Sequence, residues 1–99
     1  MHILIHQDGA LSLEEHEEMK SLSVVDTTNN TNRSALENIS VPTEDDHYWI
    51  EADAVIALAP QAADAQWVEN FWKMLKAVEH YGYFDKENKR VKAHVENNP

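Results

Sequence analysis

Apolar and polar positions recur along this chain in patterned stretches set apart by polar segments, and each stretch predicts an element. Ile3, Leu4 and Ile5 form an apolar run that Gln7-Asp8-Gly9 interrupts with turn chemistry, so residues 2–6 are expected as a strand. Ser12-Leu13-Glu14-Glu15 matches a capping box, in which the Ser hydroxyl accepts from the amide three residues on and the Glu side chain reaches back. Glu14, Glu15, Glu17 and Glu18 sit where a helix dipole favours negative charge, which predicts a surface helix over residues 13–22. Leu13, Met19 and Leu22 give it one shallow buried edge. Residues 23–28 are β-rich and predict a second strand, followed by a long flexible loop over residues 29–46 with one helical turn at 35–38.

From His47 the period becomes two. Tyr48, Ile50, Ala52, Ala54, Ile56 and Leu58 alternate with Trp49, Glu51, Asp53, Val55 and Ala57, and because the second set turns apolar after Asp53 the pattern predicts a central strand over 47–58, stopped by Pro60. The strongest helix is expected over residues 62–81, where Trp67, Val68, Phe71, Trp72, Leu75 and Val78 recur at helical spacing and Gly82 supplies the stop. Tyr83-Phe84 and the polar turn at 85–88 lead to a last strand over 90–96, with Val91, Ala93 and Val95 inward and Arg90, Lys92 and His94 outward.

Read in order, these elements give βαββαβ within one domain of residues 1–99. The expected fold class is α+β, ferredoxin-like or a related antiparallel sheet with helices packed on one face. The other face of such a sheet needs water or a cover, and a homodimer packed sheet to sheet is one way to supply it.

Composition narrows the function. The 99 residues include no cysteine, which removes disulfides, thiol nucleophiles and Cys-based metal centres. The longest apolar run, residues 54–60, is too short to cross a bilayer, and the opening residues lack the basic start of a secretory signal. The expectation is a cytoplasmic protein without membrane association. Residues 1–72 carry fourteen acids against Lys20 and Arg33, whereas residues 73–99 carry six bases against four acids. Most of the chain repels phosphate, so nucleic acid is not an expected partner and a basic protein is.

Chemistry-bearing patterns are sparse. With only Gly9 and Gly82, no phosphate-cradling loop and no nucleophile elbow can be built, and no cofactor is expected. Six histidines raise the question of metal, and His47, Glu51 and Asp53 are the set that alternation aligns. A solvated strand face accounts for them equally well, so no metal site is assigned. His6 with Asp8 and His47 with Glu51 are the nearest imidazole–carboxylate pairs for acid–base work. The favoured reading is a small acidic protein-binding module, of the inhibitor or immunity type, that neutralises a basic partner through Glu44, Asp45, Asp46, Tyr48, Trp49, Glu51 and Asp53. The alternative is a dimeric small-molecule-binding protein or cofactor-free enzyme with a pocket between the sheet and the Trp67/Phe71/Trp72 helix.

Overall fold

The computed structural model describes residues 1–29 and 31–97 and shows an α+β fold, a mixed sheet of seven strands with two helices. Strands β1 (His2–Ile5) and β2 (Leu11–Glu14) form an antiparallel hairpin that pairs Ile3 with Leu13 and Ile5 with Leu11. Its turn holds Gly9 at φ 88°, a conformation that favours glycine, and the Asp8 carboxylate accepts from the Ala10 amide at 2.9 Å. The helix expected over 13–22 is therefore absent. Leu11 and Leu13 belong to the strand, and Ser12, instead of capping, donates to Glu14 at 2.9 Å and contacts His6 Nε2 at 2.8 Å. Glu15 at φ 51° ends the strand, and the chain returns irregularly, tied where Trp67 Nε1 donates to the His16 carbonyl at 2.7 Å.

Strand β3 (Ser23–Asp26) runs parallel to β1, and the last strand, β7 (Arg90–Asn97), runs parallel to β3. The segment expected as loop holds a 3-10 turn, Arg33–Leu36, and strand β4 (Ser40–Pro42), which pairs antiparallel with β5 (His47–Glu51). β5 pairs antiparallel with β7, and so does the short β6 (Phe84–Asp85). The order β2-β1-β3-β7-β5-β4, with β1, β3 and β7 parallel, replaces the wholly antiparallel ferredoxin-like arrangement.

The strand expected to run to residue 58 stops at Glu51, and Ala52–Leu58 is a helix, α1. Alanine has the highest helix propensity and carries no period of its own. The buried positions are Ala52, Val55 and Ala59, which is helical spacing. Helix α2 (Ala65–Glu79) matches the expectation within a turn, with the Asp64 carboxylate accepting from the amides of Gln66 and Trp67 at 3.0 and 3.3 Å. Its buried stripe is Trp67, Phe71, Met74 and Leu75, while Trp72 is half-buried against Phe84. No helix among the described residues is long and apolar enough to cross a membrane.

Ile3, Ile5, Val24, Val91, Ala93 and Val95 project from one face of the sheet into a core shared with Val55 and Phe71. Asp26 lies on that same face, fully buried. Arg33 Nε donates to it at 2.6 Å, and the amide and hydroxyl of Thr28 donate at 2.7 and 2.6 Å. Burial opposes the Arg33 charge, but hydrogen bonds to Asp26 and Tyr48 outweigh it and hold the guanidinium pKa above its ordinary value. Arg33 also donates to Asn97 at 3.1 Å, so one side chain pins the 29–46 segment to the ends of β3 and β7. Removing it strips a buried carboxylate of its cation. Arg33→Met should cost about 3–5 kcal/mol in chemical denaturation; a loss below about 1 kcal/mol would show that the pair does not anchor this segment.

Candidate functional site

Strand β7 is longer than either strand beside it on one edge. β6 covers Arg90 and Val91, and β3 covers Val95, Glu96 and Asn97. Between these pairings the Lys92 amide still donates to the Tyr83 carbonyl at 2.7 Å, but the His94 amide on the same edge meets neither strand among the described residues. The opening leads to a cavity of about 190 Å3 lined by Ser21, Leu22, His47, Met74, Val78, Tyr83, Val91, Lys92 and His94. Leu22, Met74 and Val91 are buried and form an apolar floor against α2. Because Val91, Ala93 and Val95 point inward, Lys92 and His94 stand on the opposite face, and the cavity passes beside β7 from that face toward the helix.

His47 and His94 are cross-strand partners whose rings lie 4.9 Å apart at 53°. His47 Nδ1 is 2.9 Å from the Asp45 carbonyl. A carbonyl oxygen only accepts, so Nδ1 carries a proton and Nε2 is the ring nitrogen left to meet another group. Nε2 has no hydrogen-bond partner among the described residues. The Lys92 ammonium lies 6.0 Å from the centre of the Trp49 ring, within cation–π range, and makes no ion pair among the described residues. The residues lining the cavity thus join apolar Leu22, Met74, Val78 and Val91 to His47, His94, Lys92, Ser21 and Tyr83.

The residues expected from the sequence to bind a partner lie along the β4–β5 turn, β5 and the first turn of α1. Glu44, Asp45 and Asp46 form the exposed turn between β4 and β5, with Asp45 and Asp46 both at φ 57°, a region that Asp tolerates. Asp46 faces Arg33 at 3.7 Å. Tyr48 is half-buried on the inner face, and Trp49 is half-buried on the outer one. Glu51 is exposed at the end of β5, and Asp53 is exposed in the first turn of α1. Trp49 pairs in register with Lys92, and Glu51 with Arg90, so cations from the C-terminal quarter interrupt the acids around the indole.

His47 and Glu51 stand four residues apart on the strand, and Asp53 lies on the helix beyond it. Among the described residues no three His, Asp or Glu side chains converge as a metal-holding group. His6 contacts Ser12 while Asp8 holds the hairpin turn, so that pair does not assemble either. The cavity is lined on its helix side by Met74 and Val78. Trp67 and Phe71 are stacked in the closed core with centroids 5.5 Å apart. Ser21, Leu22 and Tyr83 carried no sequence signal as cavity residues. Alternation placed Lys92 and His94 outward on β7 without marking them as cavity residues either.

No protein-family model matches this chain, and neither a curated protein nor a solved structure does.

Tyr83 is held at the rim by the β6–β7 turn. Its Asp85 carboxylate accepts from Asn88 Nδ2 at 2.8 Å, from the Asn88 amide at 3.3 Å and from Arg90 at 3.4 Å. The Asn88 side chain and amide, with Arg90, hold its pKa below the ordinary carboxylate value against a smaller cost of burial. A lowered pKa stabilises the fold above the unfolded value, and that contribution disappears as pH falls through the folded one. Asp85→Asn should therefore lower Tm at neutral pH, with the gap to the native protein closing below about pH 3.9. A gap unchanged at about pH 2 would contradict this role for the carboxylate.

Proposed function

We propose that this protein binds a small molecule in the cavity between the open edge of β7 and helix α2. The observation that carries the reading is the cavity itself, about 190 Å3, apolar at its floor and rimmed by His47, His94 and Lys92. An apolar cavity of about 150 Å3 is large enough to hold benzene, so the expected ligand body is of single-ring size or a short alkyl chain. The apolar floor supplies binding energy through burial, and the few polar groups at the mouth orient the ligand.

The reading as an acidic module that docks a basic protein has less to support it. Its aromatic centre, Trp49, lies beside Lys92, and its Glu51 lies opposite Arg90, so a basic partner would meet cations where the contact should be tightest. The exposed acids of the 44–46 turn lie beside β5, but they are separated from the indole along the strand.

The test is to close the cavity from the helix side. Val78 is half-buried and lines it, and a phenyl ring at this position occupies the same space. Titration with benzyl alcohol should shift the Met74 methyl resonance of the native protein and leave that of Val78→Phe unmoved, with both proteins sharing the same far-UV circular dichroism. Equal shifts in both, or none in the native protein with any ligand of this size, would overturn the reading.

A further inference from the structure

The chain is strongly acidic, with 18 Asp and Glu against 8 Lys and Arg. The cavity runs against that composition. Its lining contains Lys92 and the imidazoles of His47 and His94, and no carboxylate. Lys92 has no ion-pair partner among the described residues, although acids surround the molecule elsewhere. We infer that the ligand is an anion, a small carboxylate with an apolar body, whose charged head meets Lys92, His47 and His94 while the body rests on Leu22, Met74 and Val78. This inference rests on the cavity being a ligand site and adds the charge of the ligand.

The chemistry of the rim fits such a head group. The Asp45 carbonyl holds His47 Nδ1–H whatever the state of the ring, so Nε2 is the atom left for a ligand. A carboxylic acid that transfers its proton to Nε2 breaks its own O–H bond, forms an N–H bond, and ends as a carboxylate against an imidazolium. A ligand already ionised meets the same donor when the ring is protonated. In both cases the pair is charge-assisted, and the Lys92 ammonium adds a second cation on a flexible stem. A cation at this rim would face Lys92 with no compensating acid, so the same arrangement rejects amines.

Selectivity is a second consequence of the surroundings. The acidic exterior repels anions at long range, and exposed charges more than about a Debye length away are screened at physiological salt. The cavity therefore discriminates at contact distance, through the groups that line it. Neutral isosteres should enter the apolar part of the cavity but lose the head-group contact.

The experiment is calorimetric titration of the full chain with benzoate, benzamide and benzylamine, with the same series on Lys92→Gln and His94→Gln. Benzoate should bind at least about tenfold more tightly than benzamide, the scale of one charge-assisted contact. Benzylamine should be the weakest of the three. Lys92→Gln and His94→Gln should each reduce the benzoate preference while leaving benzamide affinity unchanged, which shows that the cavity is still folded. Benzamide binding as tightly as benzoate would overturn the anion inference and leave the small-molecule reading standing. Absence of binding by all three would overturn both.

Discussion

One eight-residue strand has two shorter neighbours on the same edge, and the site follows from that mismatch. β7 is held along its other edge by β5, whose pairing runs from Glu51–Arg90 to His47–His94 and so fixes its register firmly. On the contested edge, β3 arrives parallel and takes the C-terminal end, while β6 arrives antiparallel and takes the N-terminal end. A parallel and an antiparallel neighbour cannot merge into one continuous strand, and the interval between them is left without a ladder. Backbone and side chains that would fill a continuous sheet are missing there, and the space extends down to Met74 and Val78.

The surrounding packing keeps that interval from collapsing. Phe71 and Leu75 are fully buried, and the stacked Trp67 and Phe71 make the first half of α2 a closed contact with the sheet. Toward its second half α2 faces the opening, and it ends where the Gly82 amide donates to the Glu79 carbonyl at 2.9 Å and Tyr83 to Val78 at 3.1 Å. Gly82 at φ 83° makes that turn, which sends the chain directly to the cavity rim. At the far end of the sheet the Arg33–Asp26 pair ties β3, β7 and the 29–46 segment together, so the arrival of β3 against β7 is fixed by a buried charge pair as well as by its ladder.

Much of the sheet was legible in the residues. Strand β1 followed from its apolar run, β3 from its β-rich composition, and β7 and helix α2 from periodicity, while the residue type of Gly82 marked the stop. Strand β4 inside the segment expected as loop was not legible, and two further segments misled for different physical reasons. At residues 12–15 a capping box and a hairpin arm are written in the same letters, and pairing of Leu11 and Leu13 with β1 buries more than a thin surface helix would. At residues 52–58 Ala52, Ala54, Ile56 and Leu58 satisfy a period of two while Ala52, Val55 and Ala59 satisfy helical spacing, and only the burial of the second set distinguishes them. The site was half-legible. Alternation placed Lys92 and His94 outward and His47 on β5, but Ser21, Leu22, Met74 and Val78 meet only because two strands share one edge, and no local pattern records that. The charge of Asp26 carried no mark of burial either, since an acid at the end of a strand ordinarily faces water.

The most direct test of the account is hydrogen exchange at successive amides of β7. Val95 donates to the Asp46 carbonyl at 2.8 Å on the β5 side, and Lys92 donates to Tyr83 at 2.7 Å on the other. Alternation therefore turns the His94 amide toward the unladdered interval. It should exchange far faster than the amides of Ala93 and Val95 on either side, and it should slow when a ligand fills the cavity. Protection of His94 equal to that of Val95 in the ligand-free protein would mean that the edge is closed, and the site derived from its opening would not exist.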